Sequence, residues 1–106
     1  ESVYEKCLIQ ELKEQGLNVR SQVLVPIHYK NTPLDSDLRI DILVNDLIII
    51  ELKAVETMIP VFKAQLLSYL KLTGKPKGLL INFHTENITS QLVSLVTEEF
   101  AKLPEE

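Results

Sequence analysis

The sequence predicts a single α/β domain over residues 1–106, in which a mixed central sheet is flanked by helices. One observation is the apolar stretch 38–53, which a short polar turn at Asn45-Asp46 divides into two consecutive strands. The other is a helical pattern that separates this strand pair from a further apolar strand. Because a helix between neighbouring strands makes a parallel crossover, we expect both parallel and antiparallel pairs in the sheet.

The individual elements follow from apolar periodicity and from the residues that begin or end helices and strands. Gly16 and Gly74 are expected to end two helices, and Thr57 to cap the second one. Pro26 lacks an N–H, so its strand is expected to lie at the sheet edge or to kink there. No capping residue precedes Glu1, so we expect the first helix to begin upstream. The predicted order αβββαβα has helices over 1–15, 57–73 and from 87 or 89 to 102, strands over 19–29, 38–44, 48–53 and 77–83, and a loop over 30–37.

Composition excludes several classes of function. The single cysteine, Cys7, rules out an intrachain disulfide and a zinc site of thiolates, so a reducing cytoplasm is the expected location. Cys7 lies on an apolar helical face and is expected in the core. No apolar run reaches about 18 residues, so no membrane span is expected. The net charge of −4 argues against avid non-specific nucleic-acid binding, but it is compatible with an enzyme whose acids bind cations.

Three charged side chains, Asp41, Glu51 and Lys53, lie within the apolar strand pair, where an unpaired charge is costly. Glu51 and Lys53 are two residues apart and therefore share a face of their strand. A two-residue turn would pair Asp41 with Ile50 and put it on the other face. A three-residue connection, 45–47, or a bulge would pair Asp41 with Glu51, and we predict one of these two arrangements.

Two carboxylates brought together in this way repel each other by about 4 kcal/mol at an effective dielectric constant near 20. A divalent cation between Asp41 and Glu51 would remove that penalty, and Lys53 would offset part of it. The alternative for these three residues is a structural salt bridge at a sheet edge.

This arrangement resembles the PD-(D/E)XK nuclease superfamily, whose pattern is matched by Asp41 and by Glu51-Leu52-Lys53. Ile40 stands at the position where the superfamily pattern has proline. The segment Gln65-Leu66-Leu67-Ser68-Tyr69 is similar to the QxxxY element of the RecB-like branch.

The chain also resembles the GxxExxY protein family within that superfamily. Glu1-Ser2-Val3-Tyr4 matches the last four positions of the GxxExxY signature, and residues 79–83 are typical of the family. The resemblance covers nearly the whole chain. It implies a restriction-endonuclease-like αβββαβα core and a nuclease that hydrolyses phosphodiester bonds in nucleic acid, with DNA as the expected substrate.

The resemblance further implies Mg²⁺ or Mn²⁺ as the cofactor. Asp41 and Glu51 would supply carboxylate ligands, with the backbone carbonyl of Leu52 and the carboxylate of Glu1 as additional ligands. Lys53 would position a metal-bound water or help to deprotonate it, and would stabilise the transition state.

Further candidate residues lie on the second predicted helix. Gln65 and Tyr69 are one helical turn apart and could hydrogen-bond Lys53, the metal-bound water or the nucleic-acid backbone. Without the rest of the site they would be an ordinary helix border. Lys63 is a candidate nucleic-acid contact in a groove beside this helix, together with Lys71, Lys75 and Lys77, and the alternative is that these lysines are simply solvated.

Arg39 shares the face of Asp41 and is either a salt-bridge partner or a phosphate contact. His28 and His84 lack metal-ligand spacing and a nucleophile partner, so we interpret both as structural or surface residues. No Walker loop, Rossmann glycine pattern, zinc pattern or Ser-His-Asp order is present.

Two other functions compete with a nuclease. One is a nuclease-like module that binds nucleic acid or a protein without cleaving, and the other is a structural module in which the charged set is an internal salt bridge. Because so small a nuclease offers little surface for reading sequence, we expect a homodimer or a larger complex.

Overall fold

The computed structural model describes residues 3–84 and 92–98, apart from the side chain of Ser36. The described residues form one sheet in the order β1-β2-β3-β4-β5, in which β3 and β4 are parallel and the other neighbours antiparallel. The predicted α/β class with a mixed sheet is confirmed. The elements are α1 (Val3–Glu14), β1 (Val19–Tyr29), β2 (Thr32–Val44), β3 (Ile48–Lys53), α2 (Pro60–Thr73), β4 (Lys77–Asn82) and β5 (Val93–Val96).

The connection between β2 and β3 has three residues, 45–47, and pairs Val44 with Ile48, which confirms the predicted odd connection. Asn45 and Asp46 have φ angles of 52° and 59°, a left-handed conformation that these two residue types tolerate well. Asp46 also accepts hydrogen bonds from Lys75 and, less strongly, Arg20, which lower its pKa and tie the turn to the segment after α2 and to β1.

The hairpin of β1 and β2 is longer than predicted, and the loop expected over 30–37 is wrong. Lys30 and Asn31 alone make the turn, both with positive φ, and β2 begins at Thr32. Two left-handed residues are what a tight hairpin turn requires, so the strands can pair up to the turn despite Pro33. The pairing of β1 with β2 shifts register between Pro26 and His28. In the described sheet β1 is an edge strand, as the lack of an N–H at Pro26 predicted.

The helix predicted from 87 or 89 to 102 is wrong over the residues that the structure describes there. Val93–Val96 is instead β5, antiparallel to β4, with Val93 opposite Leu80. Half-buried and exposed residues alternate along it, as they do in a strand that covers the edge of a sheet. The other residues of that predicted helix, 87–91 and 99–102, lie outside the described ranges.

The two helices are close to their predicted extents. Pro60 occupies the first turn of α2, so Thr57 is not its cap, and Ile59 takes that place without a side-chain hydrogen bond. Gly74 ends α2 with a φ of 70°, and its N–H donates to the Leu70 carbonyl.

The buried stripe of α1 differs from the expected one. Leu8, Ile9 and Leu12 pack on the sheet, whereas Cys7 is exposed, so its predicted core position is wrong. Glu5 is buried and continues the stripe one turn earlier, at the helical spacing of Leu8 and Ile9.

The two faces of the sheet carry separate cores. The α2-side core consists of Leu38, Ile40, Leu43, Ile49, Leu66, Leu70 and Leu80. The α1-side core consists of Ile42, Val44, Ile50 and Ile81, with the stripe of α1 packed against it.

The alternation of side chains along β2 is interrupted at Asp41. Ile40 belongs to the α2-side core and Ile42 to the α1-side core, although two residues apart on a regular strand face the same way. In β1, Val19 packs on the α1-side core and Val23 on the α2-side core, so the same exchange occurs there. Both strands of the hairpin therefore exchange faces at the same level.

Gly78 provides the first testable prediction, because it lets α2 pack directly on β4. A Cβ at this position would lie 2.9 Å from Cδ1 of Leu66 and 3.1 Å from Cδ1 of Leu70, two fully buried side chains. Gly78→Ala should lower the free energy of unfolding by about 1–3 kcal/mol through overpacking. Urea denaturation measures this loss.

The matched control is Ser94→Ala, an exposed substitution in β5 that should change stability by less than about 0.5 kcal/mol. Because the added Cβ would clash with Leu66, shortening the Leu66 side chain should relieve part of the loss. Gly78→Ala combined with Leu66→Ala should lose less than the sum of the two single changes. Full additivity, or an unchanged midpoint for Gly78→Ala, would contradict the packing described here.

Candidate functional site

The candidate site lies where β3 and its parallel neighbour β4 reach their carboxyl ends. Glu51 is opposite Leu80, and Lys53 is opposite Asn82. This edge of an α/β sheet is the usual place for a binding site, because the chain leaves the strands there and opens a crevice.

Asp41 joins β2 to β3 through its side chain. The backbone pairing of the two strands ends at Ile42 and Ile50, and one step further the Asp41 carboxylate accepts the N–H of Leu52 at 2.9 Å. The carboxylate thus takes the place of a backbone carbonyl in the ladder. This hydrogen bond fixes Asp41 beside the segment Glu51-Leu52-Lys53.

Glu51 is the most unusual acid in the described part of the chain. The residue is 8% exposed, and its buried Oε1 has no hydrogen-bond partner among the described residues. Burial, and after it the charge of Asp41, raise the pKa of Glu51 from its ordinary 4.5 to about 7, against the opposing effects of Lys53 and Arg39. This carboxyl group is therefore held in a setting that disfavours its charged form.

Lys53 extends from the same strand as Glu51. Its Nζ lies 4.6 Å from the centroid of the Phe62 ring, on the first turn of α2, which is a favourable cation–π distance. The ion pairs within 4.0 Å in the described residues join Asp46 to Arg20 and to Lys75. Asp41, Glu51 and Lys53 therefore do not form the direct salt bridge considered as the alternative.

A cleft opens over Asp41 and Lys53. Arg39 lines it and is exposed, so in this part of the structure it is available to a ligand rather than held in an ion pair. The residues that line the cleft are Glu5, Gln22, Arg39, Asp41, Leu52, Lys53, Ala54 and Phe83.

Glu5 and Gln22 belong to the cleft and were not predicted. The Gln22 side-chain amide donates to the buried Glu5 carboxylate at 3.1 Å. The spacing of Glu5 to Leu8 and Ile9 was a usable signal, because it places the acid at the head of the apolar stripe. Gln22 had no comparable signal, because its role depends on a strand register that only the folded hairpin defines.

Gln22 has a φ of 52° in the middle of β1, which is rare for a residue that is neither Gly, Asn nor Asp. Its neighbours pair as Ser21 with Ile42 and Val23 with Ile40, so Gln22 lies opposite Asp41. The left-handed residue therefore sits at the level where both strands exchange faces.

Gln65 and Tyr69 form a pair on α2, where the Gln65 amide donates to the Tyr69 hydroxyl at 2.9 Å. Burial raises the pKa of Tyr69, and the charges of Glu51 and Asp41 raise it further. Tyr69 is therefore within electrostatic reach of the two acids. Gln65 and Lys63 are exposed. The residues that line the cleft do not include Gln65, Tyr69 or Lys63.

Asn82 fixes the end of β3 and was not singled out by the sequence, although a polar residue closing an apolar strand was a visible signal. It is fully buried, and its carboxamide accepts the N–H of Val55 and donates to the Val55 carbonyl, at 3.1 and 2.8 Å. The same Oδ1 accepts the N–H of His84 at 3.0 Å. The backbone that follows Lys53 is therefore locked to β4.

The sequence model described as the PD-(D/E)XK nuclease superfamily matches residues 1–94. The chain belongs to this superfamily. The mixed α/β sheet flanked by two helices is consistent with the restriction-endonuclease-like fold.

A solved structure, "Crystal structure of SSO0001", is similar to this chain with a TM-score of 0.64 and 22% sequence identity. The match covers 93% of this chain and 52% of that one, so the chain spans about half of its length. The likeness concerns the fold. No curated protein matches the sequence.

The donor set around Asp41 and Glu51 fits the divalent metal that PD-(D/E)XK nucleases generally use. The unpartnered buried oxygen of Glu51 and the neighbouring Asp41 carboxylate are hard donors of the kind Mg²⁺ and Mn²⁺ prefer. The described residues contain no cluster of three or more His, Cys, Asp or Glu suited to a metal. Of the two additional ligands expected, Leu52 lines the cleft and Glu1 lies outside the described residues.

The remaining expectations concern the surface. His28 and His84 are exposed, in agreement with the surface interpretation. Lys75 is paired with Asp46, so it does not line a free basic groove. No helix in the described ranges is long and apolar enough to cross a membrane.

The role of Asn82 can be tested by Asn82→Ala. The change leaves the N–H and carbonyl of Val55 without partners, so stability should fall by about 1–3 kcal/mol in urea denaturation. Asn18→Ala, at an exposed asparagine whose side chain makes no such contact, should lose less than about 0.5 kcal/mol. Equal effects of the two changes would contradict the locking role.

The pKa of Glu51 predicts how stability depends on pH. Between pH 4.5 and about 7 the folded protein keeps a proton on Glu51 that the unfolded chain releases, so the free energy of unfolding should fall as pH rises through that window. The loss is on the order of 3 kcal/mol and is complete above the folded-state pKa. Glu51→Gln should not show it, and should be the more stable protein at pH 8.

Urea denaturation at pH 4.5, 6 and 8 with a metal chelator measures the effect as the difference between wild type and Glu51→Gln. Glu56→Gln, at an exposed position just after the site, should follow wild type at every pH. A difference between wild type and Glu51→Gln that stays constant over pH would overturn the prediction.

Proposed function

We propose that this chain is a divalent-metal-dependent nuclease that hydrolyses phosphodiester bonds in nucleic acid, with DNA as the expected substrate. The observation that carries the proposal is the buried, unpartnered Oε1 of Glu51 beside the Asp41 carboxylate. A buried acid beside a second carboxylate, with no salt bridge to either, destabilises the fold unless something positive is bound between them. Membership of a nuclease superfamily makes a metal ion the natural candidate.

In this proposal Asp41 and Glu51 hold Mg²⁺ or Mn²⁺, with the Leu52 carbonyl and Glu1 as further ligands. When bound, the ion supplies a water of lowered pKa and positive charge for the phosphate oxygens. Asp41 is held for this task by the Leu52 N–H, which leaves its other carboxylate oxygen available. Glu51 offers its unpartnered oxygen without having to give up a hydrogen bond.

Lys53 is the proposed partner of the attacking water. Lys53 follows Glu51 by two residues on β3 and lines the cleft with Asp41. Its ammonium group lies over the Phe62 ring. A lysine held there can donate hydrogen bonds to the water or to the phosphate and can stabilise charge that develops in the transition state.

Gln65 and Tyr69 are proposed to act from α2. Their mutual hydrogen bond orients the Tyr69 hydroxyl, and the charges of Asp41 and Glu51 reach it. Tyr69 can then donate to the metal-bound water or to a backbone phosphate. Arg39, exposed in the cleft, and Lys63, exposed on α2, are the proposed phosphate contacts.

The finer assignments are also part of this proposal. Glu1-Ser2-Val3-Tyr4 supports placement in the GxxExxY family, and the Gln65 to Tyr69 element supports the RecB-like branch. We propose that residues 1–106 act as one domain, in the cytoplasm and as a homodimer or part of a larger complex.

Metal binding should stabilise the folded protein. Mg²⁺ or Mn²⁺ at about 100 times its dissociation constant contributes about 2.7 kcal/mol, so Tm at pH 8 should rise by at least about 5 °C. Asp41→Asn and Glu51→Gln should lose this rise. Asp37→Asn, an exposed acid on the same strand, should keep it.

Cleavage should depend on the same residues. Asp41→Asn or Lys53→Ala should reduce the cleavage rate of labelled DNA by at least about a hundredfold, and Lys13→Ala on the exposed face of α1 should not. Metal binding and nucleic-acid binding without cleavage would favour the inactive binding module. Absence of any metal effect on Tm, with variants that behave like wild type, would refute the nuclease.

A further inference from the structure

Phe83 is held rigidly beside the proposed catalytic lysine. Its backbone N–H donates to the Lys53 carbonyl at 2.8 Å, and the buried Asn82 carboxamide accepts the N–H of the next residue, His84. The half-buried ring lines the cleft that also contains Asp41. The position of this ring is therefore fixed relative to the place where a scissile phosphate would lie.

Tyr4 stacks on that ring from α1. The two ring centroids are 5.4 Å apart with an interplanar angle of 19°, within the range of an offset stack. The next residue, Glu5, lines the cleft. The start of α1 therefore contributes an acid to the cleft and an aromatic ring to its border with Phe83.

The stacked pair is open to solvent on the side away from the cleft. Tyr4 is 63% exposed, and a second hollow, which includes Tyr4, Lys6 and Phe83, adjoins the first through the Phe83 ring. An aromatic pair that served packing alone would gain most from burial. Here Tyr4 is left exposed on a half-buried Phe83, at the border of a cleft that already contains the proposed phosphodiester chemistry.

We infer that Tyr4 and Phe83 form a stacking surface for an unpaired nucleobase of the strand that enters the cleft. This inference rests on the proposed function and narrows its substrate class to single-stranded DNA or DNA with unpaired ends. Aromatic side chains bind bases of any sequence in this way, because every base has a flat π face. Lys6 at the rim of the second hollow is placed to meet the strand's backbone.

Base pairing matters because a base inside a duplex has both faces covered by its neighbours. A ring pair at the rim of a cleft can stack only on a base that is at a strand end or unpaired. The net charge of −4 supports the same conclusion, because a chain with more acids than cations cannot rely on backbone contacts alone for affinity. Stacking supplies affinity that depends little on salt.

Fluorescence anisotropy of a labelled DNA 12-mer, recorded in chelator and again in Ca²⁺, tests the inference. A mixed-sequence single strand is compared with the same strand built of abasic units and with a blunt duplex. Wild type should bind the base-bearing strand about tenfold more tightly than either competitor. Tyr4→Leu and Phe83→Leu should abolish this preference, whereas Tyr4→Phe, which keeps the ring, should retain it.

Tyr29→Leu is the matched control, because Tyr29 is similarly exposed but lies at the tip of the β1–β2 hairpin, about 30 Å along β2 from Asp41. It should bind like wild type. Equal affinity of wild type for base-bearing and abasic strands, or an unchanged preference in a folded Tyr4→Leu, would overturn the inference. If Tyr4→Leu and Phe83→Leu fail to fold, quenching of 2-aminopurine at the strand end by wild type decides the question, and no quenching rejects the surface.

Asp41→Asn separates this inference from the proposed function. This variant should lose cleavage but keep the preference for unpaired bases, since Asp41 contacts neither ring in the proposed arrangement. Base-dependent binding without cleavage by wild type would uphold the stacking surface and reject the nuclease. Cleavage of base-paired and single strands at equal rates, with no base-dependent binding, would uphold the nuclease and reject the stacking surface.

Discussion

The hydrogen bond from the Leu52 N–H to the Asp41 carboxylate is the contact on which the site depends. It replaces a backbone pair at the point where the ladder between β2 and β3 stops. Because the carboxylate accepts a backbone N–H of β3, the Asp41 side chain is tied directly to the main chain of the sheet. The backbone of Glu51 is held by strand pairing on both sides, since β3 lies between β2 and β4.

Because its strands exchange faces at Gln22 and Asp41, the hairpin contributes to the cores on both sides of the sheet. In β2, Leu38 and Ile40 pack in the α2-side core, whereas Ile42 and Val44 pack in the α1-side core. In a regular strand, residues an even number apart keep to one face, so Ile40 and Ile42 would share a core. The strained backbone at Gln22 is therefore compensated by burial on both faces, and it places Asp41 at the boundary between the two cores.

The sequence predicted most of the order of elements, because apolar runs and turn residues determine them locally. The position of Asp41 beside Glu51 followed from counting residues in the connection 45–47, and the structure agrees. The last described strand, β5, was taken for a helix because four residues carry too little periodicity to separate the two periods. The long hairpin was missed because Pro33 is a poor strand residue in general but is tolerated next to a turn.

The cleft was harder to predict than the strands that support it. Asp41, Glu51 and Lys53 stand out because charges in apolar strands require a reason. Glu5, Gln22 and Asn82 are polar residues at positions where many sequences have polar residues, and their importance arises from contacts between distant parts of the chain. The core position predicted for Cys7 was wrong for a related reason, because the sequence alone does not show which side of α1 the sheet covers.

The edge strand β1 has a consequence for how copies of this chain can meet. An open edge is a template on which another strand can add, and two such edges in register would join two sheets into one. Pro26 offers no N–H, and the register shift that follows it changes the spacing of the remaining groups. In the part of the chain that the structure describes, edge-to-edge addition along β1 is therefore interrupted midway, which disfavours open-ended strand addition there.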